Sequence, residues 1–337
     1  MTLGLSTLLF STLSTAAEQN EYLEGVSQHA DAIGWHLNKV KSLDFIASLQ
    51  EFFVLHLKDL KRRKSMNFLT VAFDETYISY YGKRTDSVWI HGYKNKVKGA
   101  TGSYKFMVVS IVLRNERYVL GLLPMATTDS TIDCVEEMLA LIKKQFNVSL
   151  VLLDGGFASK ELVRSMDEQQ QKYIALCPKW KNVKKFLEKG IVGICEIKKI
   201  RKHRREIPVK VQYVIEYNLL EHDWVFLTNT DLRGMDLVRA YKARWGIETT
   251  FRVMDHADIK SKSTNIVTRT FFFLISTLLY NMWIEEREKL GCTFTKYLDW
   301  IVLAQKNKEQ LISEWKEAKM KLESFMISEK NIQTAII

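Results

Sequence analysis

The chain has only 3 prolines among 337 residues and no glycine and serine tract, which excludes a long structureless linker. Its 4 cysteines, Cys134, Cys177, Cys195 and Cys292, are scattered, and no pair has the spacing of metal ligands or of a secreted disulfide framework. Reduced thiols in a cytosolic protein are the expectation. The apolar opening from Met1 to Ala17 has no Lys or Arg ahead of it, so it lacks the basic start of a secretory signal, and a packed N-terminal helix is expected there. The apolar run from Thr270 to Ile284 falls short of the roughly 20 residues needed to cross a bilayer. It reads as a helix buried on all sides of a large domain. A soluble protein without a membrane partner is therefore expected.

Positive charge is what the chain has in excess: 49 Lys and Arg against 39 Asp and Glu, with a pI near 9.2. That balance inclines it toward polyanions. The excess is uneven. Between Lys179 and Lys210, cationic side chains are opposed only by Glu188, Glu196 and Glu206. A second cationic stretch, Gly82 to Gly102, interleaves Trp89, His91 and Tyr93 with lysines; it suits either a DNA track or a solubilising surface loop. Neither His91 nor His203 has a metal-ligand partner at useful spacing.

Hydrophobic periodicity organises the rest. Trp35 to Leu60 repeats apolar residues at helical spacing and ends in Lys61-Arg62-Arg63-Lys64. Asn67 to Phe73 is a β-type run that stops at Asp74, with a second strand expected over Thr76 to Tyr81. A hairpin comes next over Phe106 to Leu113 and Tyr118 to Leu123, then an amphipathic helix from Thr131 to Phe146. Ser149 to Leu153 is a short apolar strand ending at Asp154-Gly155-Gly156-Phe157. A helix over Ser159 to Gln171 leads to another buried strand, Tyr173 to Cys177. After the basic stretch, strands are expected at Val209 to Tyr217 and Trp224 to Thr228. Helix is expected from Met235 onward, with a break near Gly291. This order predicts an α/β protein with a mixed sheet and helices on its faces.

Three acidic residues stand out. Asp74 and Asp154 each follow an apolar strand, and functional groups in open α/β sheets gather outside strand carboxyl ends. Glu248 lies in Tyr241-Lys-Ala-Arg244-Trp-Gly-Ile-Glu248, where spacings of three and four put Tyr241, Arg244 and Glu248 on one helix face. Two metals about 3.5–4 Å apart can promote in-line attack on a phosphodiester, and hard cations such as Mg²⁺ take carboxylate oxygens. Taken singly, each residue has a plainer reading: a turn or cap for the aspartates, a solvated ion pair for the glutamate. It is their combination that points to catalysis.

These residues resemble the insertion-sequence transposases with a DDE triad and a Tyr-Arg-Glu-Lys signature. The matching blocks are TVAFDET around Asp74, LVLLDGGF around Asp154, and Tyr241-x2-Arg244-x3-Glu248, spanning roughly Phe68 to Trp283. The resemblance implies an RNase H-like catalytic core with a β-rich insertion before the last catalytic helix. It divides the chain into an N-terminal helical region (1–66), a first core part (67–178), a basic β-rich insertion (179–232), a second core part (233–290) and a C-terminal helical tail (291–337). Asp74, Asp154 and Glu248 would be catalytic and hold Mg²⁺, with Mn²⁺ able to substitute. Tyr241 and Arg244 would contact DNA near the reacting phosphate. Trp224 would stack on a flipped base or else pack in the core. In the insertion, Lys198, Lys199, Arg201, Lys202, Arg204 and Arg205 would contact DNA. The implied partners are the transposon's terminal inverted repeats, target DNA and a second copy of the chain in a synaptic homodimer. The implied setting is the cytoplasm, in association with the nucleoid. One departure is plain: where the signature has Lys, seven residues after the Glu, this chain has Asp255. A nuclease without strand transfer and a catalytically inactive DNA-binding relic remain the alternatives.

Overall fold

A computed structural model of the chain describes residues 30–64, 66–83, 87–92, 98–113, 117–177, 192–197, 209–254 and 263–306. The chain divides into two compact units, residues 36–285 and residues 1–35 together with 286–337. In the latter, the described parts are residues 30–35, which begin a helix, and, further along the chain, the end of one long helix and a helix over Phe294–Lys306. Between these last two Gly291 adopts φ +59, a left-handed value that glycine takes without strain. Its N–H bonds the carbonyl of Arg287 at 2.8 Å, which accounts for the helix break expected there.

The unit 36–285 is built on one mixed sheet, flanked by helices, in the expected α/β class. Its strands are β1 (Phe68–Tyr80), β2 (Gly102–Val112), β3 (Arg117–Met125), β4 (Asn147–Leu153), β5 (Tyr173–Leu176), β6 (Val192–Ile197), β7 (Val209–Leu219) and β8 (His222–Thr228). They lie in the order β3-β2-β1-β4-β5-β8-β7-β6. β1, β4 and β5 run parallel, and the remaining pairings are antiparallel. The stretch expected as a β-rich insertion therefore extends the same sheet, since β8 pairs with β5.

Eight helices complete the described chain: α1 (Ala30–Lys39), α2 (Ser42–Arg63), α3 (Thr131–Lys143), α4 (Lys160–Glu168), α5 (Gly234–Lys242), α6 (Gly246–Met254), α7 (Ile266–Leu290) and α8 (Phe294–Lys306). The single helix expected from Trp35 to Leu60 is interrupted at Val40 and Lys41. From Ser42 onward, Leu49, Phe53, Leu57 and Leu60 form the buried stripe of α2. Gly121 on β3 leaves the room that the Phe53 ring fills; a Cβ there would overlap it. On α3 the hydroxyl of Ser130 caps the helix by accepting from Ile132 and Asp133 N–H.

The apolar run that ends at Ile284 belongs to α7, the one helix among the described residues long and apolar enough to cross a membrane. Three of its buried hydroxyls are satisfied within the helix: Thr270, Ser276 and Thr277 each donate to the carbonyl four residues back. Asn281 does more. A register shift between β2 and β3 leaves Leu120 as an extra residue. Beside it, Val119 donates its N–H to Asn281 Oδ1 at 3.0 Å and accepts from Nδ2 at 2.7 Å. An Asn281→Leu variant is expected to lose about 3 kcal/mol, because two buried backbone groups would be left unpaired at roughly 1–3 kcal/mol each. Urea unfolding of the two proteins measures the difference directly.

Near the same strand, His56 is stacked between Phe52 at 6.1 Å and Tyr118 at 5.6 Å. Its Nε2 is shut off from solvent without a hydrogen-bond partner. Burial first, then the Arg63 guanidinium, hold its pKa below the ordinary histidine value, against smaller opposite effects of Asp59 and Glu285. The unfolded chain therefore binds this proton more readily than the folded one. The resulting loss of stability sets in as pH falls below the ordinary histidine value and is absent above it. A His56→Phe variant is expected to lose less Tm than the wild type between pH 8 and pH 5. Parallel melting curves at those two pH values check this.

Candidate active site

Two adjacent parallel strands fix the heart of the site. β1 pairs with β4 in a register that ends at Phe73 opposite Leu153. Asp74 and Asp154, the next residue on each strand, thus stand side by side. Beyond this point β4 stops while β1 continues to Tyr80 against β2, so a cleft opens on the β4 side. Side chains alternate between faces along a strand, so Asp74 shares its face with Ala72 and Asp154 with Leu152. Ala72 and Leu152 belong to the core cluster beneath α5, with Phe226, Leu237 and Tyr241. Both carboxylates therefore face α5 and the turn at its C-terminal end. The expectation of two short strands around Asp74 is corrected here: β1 is one strand of 13 residues. The polar pair Asp74-Glu75 does not break it, because Glu75 points to the opposite face and finds partners there. Lys105 Nζ lies 2.6 Å from its carboxylate, and Thr131 and Tyr77 donate hydroxyls to it at 3.0 and 3.1 Å.

The tract carrying the third expected acid is held over this pair. Glu216 on β7 accepts the N–H of Gly234 at 2.6 Å and so secures the start of α5, where a carboxylate also meets the positive end of the helix. α5 leads through a 3₁₀ turn, Ala243–Trp245, into α6. Tyr241 is fully buried; its hydroxyl donates to Asp154 Oδ1 at 3.4 Å. Arg244 is 3% exposed, with Nη2 at 3.3 Å from Asp154 Oδ1 and Nη1 at 3.8 Å from Asp74 Oδ2. Its guanidinium also lies 5.6 Å from the centre of the Tyr241 ring. One cation is thus shared by both carboxylates. Burial works against its charge, but Tyr241, Asp154 and Asp74 together hold its pKa above the ordinary arginine value. Burial, reinforced by Asp154 against the opposing Arg244, pushes the Tyr241 hydroxyl up to about 12, so it remains a donor at neutral pH.

Glu248 comes four residues after Arg244, in the first turn of α6; its side chain lies outside the described residues. Among the described residues, no three of His, Cys, Asp and Glu converge on one point. The donors present are carboxylate oxygens, the kind that Mg²⁺ and Mn²⁺ take. That a guanidinium sits against both shows the space between them accepts positive charge.

The expectation that Trp224 offers a face to a base is corrected. Its indole is 5% exposed and packs against Phe226, Tyr241 and Trp245. Nε1 donates to the carbonyl of Leu219 at 2.8 Å. Burying a large aromatic whose one polar atom is satisfied is favourable, and the core reading prevails. The aromatic that does reach solvent is Trp245, 41% exposed, with Lys242 Nζ 4.9 Å from its ring centre. The sequence held a signal for it, an aromatic next to Arg244, that the triad spacing overshadowed. Lys198, Lys199, Arg201, Lys202, Arg204 and Arg205 lie outside the described residues, as does Asp255.

Two carboxylates at one level of neighbouring parallel strands, outside the strand ends where functional groups of open α/β sheets gather, thus face a turn that brings its own cation. Residues 68–282 match the family described as the transposase DDE domain, and the chain belongs to that family of transposases. No curated protein sequence matches the chain. Among solved structures, the Drosophila P element transposase strand transfer complex is similar at 13% identity and a TM-score of 0.30, over 83% of this chain. The chain spans 64% of the length of that protein.

Proposed function

We propose that the protein cleaves the ends of a mobile DNA element and joins the freed 3′-hydroxyl to target DNA. Asp74, Asp154 and Glu248 would hold divalent cations, Mg²⁺ or Mn²⁺. The observation that carries this reading is the placement of Asp74 and Asp154 at one level of neighbouring parallel strands, sharing Arg244. In the first step water attacks the phosphorus and the bond to O3′ breaks, leaving a 3′-hydroxyl and a 5′-phosphate. In the second, that hydroxyl attacks a target phosphodiester and displaces the target's O3′, so the number of phosphodiesters is conserved and no energy source is needed. When bound, the cations would activate the attacking oxygen and neutralise charge on the leaving one.

The chain's own groups do the rest. Asp74 and Asp154 supply anionic oxygens fixed by the sheet. Tyr241 orients Asp154 through its hydroxyl, and Arg244 would swing toward a phosphate that entered the cleft, a planar donor suited to phosphate oxygens. Trp245 and Lys242 present an exposed stacking face and a cation beside it, fitted to a single-stranded or frayed DNA end. Tyr241, Arg244 and Glu248 correspond to the signature tract, with Asp255 in place of its lysine. The protein would act in the cytoplasm on nucleoid DNA, and pairing two ends requires at least a homodimer.

The test uses DNA from the inverted repeats expected to bracket the gene, a target plasmid and Mn²⁺. Joined products support transposition; cleaved ends without joining would make the protein a nuclease. Retardation of end DNA without any cleavage would make it a DNA-binding relic.

A further inference from the structure

The tract that carries Arg244 is not one uninterrupted α-helix. α5 ends at Lys242, the 3₁₀ turn covers Ala243–Trp245, and α6 begins at Gly246. A 3₁₀ turn winds three residues per turn instead of 3.6, so each residue in it rotates those after it by about 20° relative to a continuous α-helix. The direction in which α6 projects relative to Tyr241 depends on this turn staying tight.

A charged side chain from β3 holds the turn. Arg117, the first residue of β3, donates from Nη2 to the carbonyl of Ala243 at 2.5 Å and from Nη1 to the carbonyl of Leu113 at 2.6 Å. It can approach because residue 246 is glycine: a Cβ there would overlap Nε, Cζ and Nη2 of Arg117. One turn later, Thr250 Oγ1 donates to the carbonyl of Gly246 at 2.8 Å and lies 3.1 Å from the hydroxyl of Tyr280 on α7. Burial also depresses the pKa of Arg117, a cost that an arginine serving only solubility would not incur.

We propose that Arg117 is a positioning residue for the reaction: bound to the Ala243 carbonyl and seated against Gly246, it holds the 3₁₀ turn that sets Arg244 over the two aspartates and fixes the helical phase of Glu248. The proposal rests on the transposase reading of the site above. It assigns Gly246 a specific purpose, since glycine is otherwise a poor helix former and alanine would favour α6 by nearly 1 kcal/mol.

A double-mutant cycle gives the test a sign. If only helix propensity mattered, Gly246→Ala would be neutral or better. Instead, Gly246→Ala and Arg117→Ala are each expected to lower kcat for end cleavage by roughly 10- to 100-fold, the cost of misplacing reacting groups by about 1 Å. The Kd for end DNA should stay within about twofold. In the Arg117→Ala background, adding Gly246→Ala should cost nothing further, because the obstacle has gone. Arg117→Lys, which reaches one carbonyl but not two, should recover part of the rate. Hydrogen exchange provides a readout independent of catalysis: amides of residues 245–250 should exchange at least about tenfold faster in Arg117→Ala, while those of β1 and β4 stay protected. If wild-type protein cleaves nothing, the transposase reading fails and the exchange result alone decides whether Arg117 holds the turn. Additive losses in the cycle, a rise in Kd with kcat unchanged, or exchange that is unchanged or raised throughout the sheet would overturn the proposal.

Discussion

Replacing Asp154 with alanine is expected to lower metal-dependent cleavage of end DNA by at least about 10³-fold, the rate equivalent of the several kcal/mol of charge stabilisation that a correctly held cation contributes. The same variant should fold and should still retard end DNA. Its side chain is 43% exposed and stands at the mouth of the cleft, ahead of Gly155 and Gly156, so little packing is lost. Asp74→Ala should be equally inactive but less clean. Asp74 is 15% exposed and faces a guanidinium that is 4% exposed, and breaking a buried ion pair costs about 3–5 kcal/mol. Activity loss there would be mixed with loss of fold. Asp154→Asn keeps the shape while removing the charge and should match the alanine variant. Residual cleavage above about a hundredth of wild type in either Asp154 variant would remove this carboxylate from the chemistry.

Asp154 and Asp74 stand out in the sequence for a local reason. Each ends a short run of apolar residues, and in a sheet buried on both faces an ionisable residue at that place needs a purpose. That the two strands are neighbours does not follow from the sequence; the ladder supplies it, with Phe73 opposite Leu153. The spacing of Tyr241 and Arg244 also points to their shared side, but the single helix expected to carry them and Glu248 is corrected: Tyr241 is on α5, Arg244 in the 3₁₀ turn and Glu248 on α6. The continuity of β1 was not legible, since Asp74-Glu75 looks like an end when the partners on the opposite face are unknown. Those partners, Lys105 and Thr131, arrive from β2 and α3.

Long-range contacts supplied the features that no local pattern announced. The union of β8 with β5 joins segments whose sequence texture differs, and only the ladder shows that β6, β7 and β8 share one sheet with the core. Trp224 had two readings of similar appeal in sequence, a stacking platform or a packed ring. The choice turned on neighbours brought from α5 and the 3₁₀ turn. Arg117 gave no sign at all: its bond to Ala243 crosses 126 residues, and the glycine that admits it looks in sequence like a weak point in a helix. Such contacts are where a family signature ends and the particular molecule begins.

Arg244→Gln should move two measurements in opposite directions. With DNA and metal supplied, cleavage is expected to fall by about 10²-fold, the scale for removing one donor aimed at developing charge. With DNA absent, the affinity of the protein for Mn²⁺ is expected to rise by at least about tenfold. The second effect is a consequence of position: the guanidinium lies 3.3 Å from Asp154 and 3.8 Å from Asp74, so it neutralises the oxygens a cation would need. Two unit charges about 4 Å apart interact by roughly 4 kcal/mol at an effective dielectric of 20, and even a third of that, allowing for the exposure of Asp154, amounts to about tenfold. A phosphate entering the cleft would draw Arg244 away and leave the carboxylates to the metal, which couples metal loading to the arrival of DNA. Calorimetric titration of Mn²⁺ into DNA-free protein reads this directly. Arg244→Lys keeps the charge, so it should leave Mn²⁺ affinity near the wild-type value while still cutting slowly, because an ammonium cannot bridge two oxygens as a planar fork does. If Arg244→Gln binds Mn²⁺ no better than wild type, the guanidinium is not standing in for the metal, and the coupling falls with it.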